Sequence, residues 1–352
     1  MKSIKSVIRQ SLATVYFASN HFLRRLQGTV LFLMYHRVLS EKDLNRNVIQ
    51  PGMYVQDDVF ERQMEFLKDH FQILSLSELL GHWTEETSLQ DKRYCVITFD
   101  DGWLDNYLYA YPILKRHNIP ATIFLATALI GTNQWFWPEK VIYLLQHLSD
   151  SVLRAILNDS PDIQKLLFGS GNLSRNGERR IEWINSVVER CKTLPEEKIL
   201  ELIERIKTPC GLIFPDERLI LSWQEVEQMS QNNITFGSHS CTHRILTRLP
   251  LNEVKKELEE SLQVLLSKKL HHVPVFCYPN GEYNQEIQAL VKGCGYQAGV
   301  TTQFGFQSYA APQDYFRIKR IAVHNDVSLT IPLFLWRISG FEQAFLAPNP
   351  EI

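Results

Sequence analysis

No stretch of this 352-residue sequence approaches the roughly 18 consecutive apolar residues of a membrane-spanning helix, so none is expected. No secretory leader is expected either: the apolar stretch at 11–18 is short, runs into Ser19, Asn20 and His21, and has no small-residue cleavage site. Excess charge of either sign is absent. The net charge is −2 and no basic stripe interleaves with aromatics, which gives no reason to expect a nucleic-acid partner. Closely spaced cysteines are absent as well. Cys95, Cys191, Cys210, Cys241, Cys277 and Cys294 form no Cys-x-x-Cys pair and read as reduced thiols used as small apolar residues, which favours a cytoplasmic location. Neither an internal repeat nor a low-complexity segment occurs. Hydrophobic residues make up 45%, enough for a sizeable core and against disorder. The length suits one large α/β domain with an insertion, or two domains.

Residues 1–28 carry Lys2, Lys5, Arg9, Arg24 and Arg25 among Ile4, Ile8, Leu12, Val15, Phe22 and Leu26, which fall near helical spacing. An N-terminal amphipathic helix follows, packed on the domain or lying peripherally on a membrane surface. The first reading is favoured, because sequence does not separate the two.

Downstream, strands and helices alternate. Residues 29–36 are a buried strand, 40–56 a polar loop, 57–70 a helix, 71–74 a short strand, 94–99 a strand, 104–117 a helix and 121–126 a strand. The rhythm breaks over 132–215, where helices are expected at 140–157, 178–192 and 195–206 around a loop at 169–172. This is a mostly helical insertion, opened by Trp135, Phe136 and Trp137 as packing aromatics or, less favoured, a sugar platform. Alternation returns with the capping box Ser222-Trp223-Gln224-Glu225, strands at 234–238, 273–278, 297–301 and 316–323, and helices at 252–268 and 285–292. Residues 331–352 read as a C-terminal tail. Seven or eight strands alternating with helices fit a barrel of parallel strands assembled from 29–131 and 216–330.

Two motifs carry chemistry. The apolar strand at 94–99 ends in Asp100-Asp101-Gly102-Trp103. A turn at Asp101 can swing both carboxylates toward one pocket, one to bind a cation and the other to act as a base; the alternative is an ordinary Asp-Gly turn. The strand at 234–238 ends in His239-Ser240-Cys241-Thr242-His243. Two histidines and one aspartate would form a metal site with open positions, as catalysis requires.

Thr98-Phe99-Asp100-Asp101-Gly102 together with Ser238-His239-Ser240-Cys241-Thr242-His243 resembles the polysaccharide deacetylases, metal-dependent carbohydrate esterases with a NodB-type homology domain. Phe276-Cys277-Tyr278-Pro279-Asn280-Gly281 is similar to the family's Phe-x-x-Pro-Tyr-Gly loop. Met34-Tyr35-His36-Arg37-Val38 resembles the branch that deacetylates poly-N-acetylglucosamine. The resemblance implies a distorted, incomplete (β/α)7-type barrel and removal of N-acetyl groups from an amino-sugar saccharide of the cell surface or its precursor. It further implies Asp101, His239 and His243 as ligands of a divalent metal, with Zn²⁺ the expected ion. Asp100 would be the base toward a metal-bound water, and a backbone N–H near Asn280 would hold the oxyanion. Trp103, Tyr278, Pro279 and Asn280 would contact substrate.

The sequence departs from the family where Cys277 replaces an arginine and Asn280 a tyrosine. Arg320 is a candidate to orient the base in that arginine's place, the alternative being a surface charge. His36 and His324 compete as the general acid. His36 is favoured because it ends an unbroken apolar strand, whereas Asn325-Asp326 would leave His324 solvated. A same-fold hydrolase of a non-sugar amide (an imide or formyl group) and a catalytically weak saccharide-binding member are the other readings.

Overall fold

The computed structural model describes residues 4–46, 48–85, 92–149, 161–168 and 178–341. Their contacts define two compact units. One comprises Met1–Glu41, Gly52–Thr132 and Ile220–Ile352, the other Lys42–Pro51 and Asn133–Leu219.

The first unit is a curled, parallel-dominated sheet with helices between its strands. The strands that matter are β1 (Thr29–Tyr35), β2 (Tyr94–Phe99), β3 (Ala121–Leu125), β4 (Ile234–Ser238), β5 (His272–Cys277), β6 (Ala298–Val300) and β7 (Ile321–Ala322). Each pairs in parallel with the next from β1 to β6. Residues 318–322 span the remaining gap: Ile318 bridges Val300 of β6, and β7 pairs with Leu33 and Met34 of β1. This closure is thin, which makes the barrel distorted and incomplete. A short antiparallel strand, Gln307–Ser308, occupies the rest of that edge of β1.

Side chains alternate across a strand, so one parity points inward. Val30 and Phe32, Tyr94 and Val96, Phe124, Val275 and Cys277, Ala298 and Val300, and Ile318 share one buried cluster, joined by Leu79, Leu80 and Trp83 of a helix at Leu76–Thr84. Continuing that parity past the strand ends brings His36, Asp100 and Arg320 to the same side, beside Cys277. On β4 the inward parity is the odd one, because Thr235 bonds Thr122 and Gly237 lies against Phe124, and it leads to His239.

Several expectations change. The helix expected at 104–117 opens with a widened π turn, Asn106–Ala110, before Tyr111–His117. The loop at 40–56 contains a short helix, Glu41–Leu44, and a strand, Tyr54–Gln56, which pairs with Arg37–Leu39. The strand expected at 316–323 shrinks to Ile321–Ala322, since the chain serves two neighbours in turn. Part of the expected tail is a helix, Ile331–Ile338, whose Leu333 and Trp336 pack with Ala13 of the N-terminal helix α1 (Ile4–Ala18). The capping box at Ser222 and Glu225 is present.

In the second unit, helices Trp137–His147, Pro161–Phe168, Glu178–Cys191 and Glu196–Cys210 enclose their own core. Pro161–Phe168 was not expected. The end of the helix expected at 140–157 and the loop at 169–172 lie outside the described residues. Trp135 and Phe136 are buried, Trp135 against Tyr143 and Phe214, and Trp137 packs on the core. These aromatics are packing. Among the described residues no helix is long and apolar enough to cross a membrane, and five of the cysteines are free thiols.

Gly237 is required by space: a Cβ there would sit 2.5 Å from Phe124 Cε1 and 3.0 Å from the Val275 carbonyl. Gly237→Ala is expected to destabilise the protein by about 1–3 kcal/mol, the usual scale of overpacking, measured by urea unfolding. An unchanged midpoint would mean that Phe124 has room to move.

Candidate active site

Asp100 ends the inward parity of β2, and its backbone N–H donates to the Tyr35 carbonyl, the last residue of β1. His36 therefore stands beside it, with Nε2 at 4.0 Å from Asp100 Oδ2. In a straight strand Asp101 would face the opposite way. It adopts instead a left-handed backbone (φ 76°), which turns its carboxylate back into the pocket. There Asp101 Oδ1 lies 3.3 Å from His239 Nε2 and 3.2 Å from His243 Nε2. His243 is also left-handed (φ 64°), as is Ser240 (φ 63°).

These positions are held from outside. The Trp103 indole N–H donates to Asp101 Oδ2 at 2.8 Å. Arg37 lies over the Trp103 ring at 4.4 Å and pairs with Asp105 at 2.8 Å. On the histidine side, Glu257 accepts from the N–H groups of Cys241 and Thr242 and from the Thr242 hydroxyl. Ser240 Oγ accepts from the His243 N–H. His239 Nδ1 is 2.8 Å from the Cys277 carbonyl, which can only accept, so Nδ1 carries the proton.

That tautomer tests the fit of a metal. Burial disfavours a second proton on His239, but Cys277 and Asp101 draw the ring well above its ordinary value, so the contact between Nε2 and Asp101 Oδ1 is one that takes a cation, either a proton or a metal ion. The three donor atoms lie within 4.8 Å of one another. Spacings of 3.2–3.3 Å suit donors that share an ion at about 2.0–2.2 Å, and a backbone-anchored Nδ1–H is the usual support of a metal-binding histidine. The residues fit a divalent cation.

Arg320 is fully buried and is no surface charge. Its guanidinium holds both Asp100 oxygens at 2.7 Å, in a bidentate pair. It also donates to Thr98 Oγ1, the Thr301 carbonyl and Cys277 Sγ. Burial alone would raise the Asp100 carboxyl, but the charge and hydrogen bonds of Arg320 outweigh it and hold the group below its ordinary value. Asp101 is likewise pushed up by burial and pulled well below the usual range by both histidines. His36 is lowered, chiefly by desolvation, against the raising effect of the two carboxylates. It is neutral near pH 7.

Some expected site residues are placed differently. The side chains of Trp103, Tyr278 and Pro279 are buried, so they do not offer a face to substrate. Trp103 braces Asp101 instead, and Tyr278 packs on Phe276 and Tyr283. Asn280 is exposed, with a left-handed backbone (φ 57°) and its amide on Glu282. His324 is no more solvated than His36, their side chains being 17% and 18% exposed. It differs by its partner, Asp326 Oδ2 at 3.0 Å. Asp105, Arg37 and Glu257 were missed. Glu257 left a signal, as a charge inside the apolar stripe Val254, Leu258, Leu265 of the helix Leu251–Ser267.

A family model described as polysaccharide deacetylase matches residues 88–173 and 184–299. A Bacillus subtilis protein, YxkH, named for the same family, is 24% identical over 298 residues, 84% of this chain and 72% of that protein. The poly-β-1,6-N-acetyl-D-glucosamine N-deacetylase of Staphylococcus epidermidis is 33% identical over 126 residues, which span 33% of this chain and 42% of that enzyme. Among solved structures, the Streptococcus pyogenes deacetylase PplD in complex with acetate superposes with a TM-score of 0.53 at 20% identity, covering 88% of this chain and 98% of that one. IcaB from Ammonifex degensii gives 0.53 at 15% identity, covering 88% and 97%. These superpositions agree with the distorted barrel, and the family model covers more than half of the sequence. The chain belongs to the polysaccharide deacetylase family.

Proposed function

We propose that this protein is a metal-dependent hydrolase that removes N-acetyl groups from an amino-sugar saccharide, with the staphylococcal relative pointing to N-acetylglucosamine polymers. The observation that carries the reading is the convergence of Asp101 Oδ1 with both histidine Nε2 atoms beside an independently anchored Asp100. Asp101, His239 and His243 would hold the cation, and Zn²⁺ suits two imidazoles and a carboxylate. When bound, it would polarise the acetamide carbonyl and acidify a water.

The chain's own groups supply the proton traffic. Asp100 is kept ionised by Arg320 and can take a proton from the attacking water at Oδ2, the oxygen that faces His36. His36 is neutral, so it can protonate the departing amine only with a proton received during the reaction. Oδ2 is a near source. Arg320 acts through Asp100 as a positioning residue. The exposed turn at Asn280 is the expected place for an oxyanion donor.

Acetate release from a panel of N-acetylated oligosaccharides tests the function. Release from N-acetylglucosamine oligomers is expected, and hydrolysis of simple imides or formamides without it would overturn the assignment. Asp100→Asn is expected to retain the metal and lower kcat by about 10²–10⁴-fold, the usual worth of a general base. His239→Ala is expected to lose the metal. Metal analysis beside kcat separates the two roles, and equal metal loss in both variants would refute them.

Arg320→Met leaves a buried carboxylate unpaired, which costs about 3–5 kcal/mol where one partner of a buried pair is removed. Arg320→Lys keeps the charge without the fork, and is expected to lower kcat with metal content unchanged. His36→Ala is expected to keep the metal and lower kcat, while His324→Ala spares kcat. The reverse pattern would move the acid to His324.

A further inference from the structure

The N-terminal helix α1 is set on the barrel the wrong way round for a soluble protein. Its buried line centres on Ala13, with Tyr16 and Phe17 partly covered beside it and the polar Ser6, Arg9 and Gln10 turned toward the protein. The opposite arc carries Val7 (53% exposed), Ile8 (49%), Leu12 (43%) and Val15 (68%). Ile8, Leu12 and Val15 follow i, i+4, i+7 spacing, so they form one continuous stripe, with only Ser11 and Ala18 between them and Val7. Scattered apolar residues on a surface need no explanation, but an aligned stripe does.

Charge gives the second observation. The sequence holds no acidic residue before Glu41, while Lys2, Lys5, Arg9, Arg24, Arg25 and Arg37 lie in that stretch of a chain whose net charge is −2. Lys5, Arg24 and Arg25 are exposed. Arg24 and Arg25 edge a cavity of about 620 Å³, which has Leu12, Val15, Tyr16 and Phe341 as its apolar wall. Apolar stripe and cationic rim are therefore contiguous.

We propose that α1, with the segment Phe22–Arg25, is a docking face for an anionic lipid bilayer. The stripe enters the boundary between headgroups and acyl chains, and Lys5, Arg24 and Arg25 meet lipid phosphates. Such a helix lies in the interface plane without crossing it. Clustered basic residues beside an apolar face give the attraction its preference for anionic lipid. The barrel is then held at a surface where membrane-linked saccharide is concentrated.

The test is co-sedimentation of the full chain with vesicles of phosphatidylcholine alone and of phosphatidylcholine mixed with phosphatidylglycerol. Binding is expected to the mixed vesicles, to weaken as added salt shortens the screening length, and to be much lower on phosphatidylcholine alone. Val15→Asp, at a largely exposed site, is expected to abolish it with circular dichroism and thermal midpoint unchanged. Arg24→Gln with Arg25→Gln is expected to weaken it roughly thirtyfold, from about a fivefold loss per charge at an anionic surface. Absence of binding, equal binding to both vesicle types, or full binding by Val15→Asp would overturn the proposal. So would a concentration-dependent dimer that Val15→Asp dissociates, which would make the stripe a contact between copies.

Discussion

The buried pair between Asp100 and Arg320 joins three things that are otherwise separate: the closure of the barrel, the proposed base and the cluster of Asp101, His239 and His243. Removing two charges from water costs several kcal/mol per ion, and only close geometry with satisfied remaining donors offsets it. Both conditions hold. The fork meets both carboxylate oxygens at 2.7 Å, and the other guanidinium donors reach Thr98, Thr301 and Cys277. Arg320 lies in the segment 318–322, whose backbone ties to the sheet are one bridge and a two-residue pairing. The ion pair thus fastens the last strand across the barrel interior to the second.

Cys277 makes this possible by being small. A thiol leaves space for a guanidinium arriving from across the barrel, where an arginine at 277 would occupy it. The same residue reaches the Asp101–His239–His243 cluster through its backbone, since its carbonyl accepts from His239 Nδ1 while its Sγ accepts from Arg320. The departure from the family pattern is local, and the guanidinium arrives from a different strand.

The barrel strands were legible because apolar runs bounded by turns leave little choice of period. The strands at 94–99 and 234–238 lie where the sequence puts them, and Asp101, His239 and His243 converge at their ends. Arg320 could be named but not placed, because a lone arginine looks the same on a surface as beneath one. Its inward parity follows from pairing between β7 and β1, a long-range contact with no local signal. Trp103 misled for a similar reason. The resemblance makes it a substrate contact, but burial and a hydrogen bond to Asp101 make it a brace. The arc of α1 that faces outward was equally hidden, since helical spacing identifies a stripe and not the direction it points.

Asp100 and Asp101 are neighbours in sequence with opposite surroundings, and the backbone causes the difference. A left-handed residue other than glycine costs on the order of 1–3 kcal/mol, and Asp101, Ser240 and His243 all adopt that conformation. The Trp103 indole and the Glu257 carboxylate hold two of these turns in place. The result is a choice between two donor sets, because Asp100, His239 and Cys277 also lie within 4.8 Å of one another. Arg320 decides it. It is bonded to both Asp100 oxygens and to Cys277 Sγ, and its charge cancels that of Asp100. Burial keeps the Cys277 thiol raised, away from the thiolate that metals bind. Asp101 keeps Oδ1 turned toward two imidazoles, with no guanidinium bonded to it. A cation would be directed to Asp101, and Asp100 would be left beside it, ionised and unligated, to act as a base.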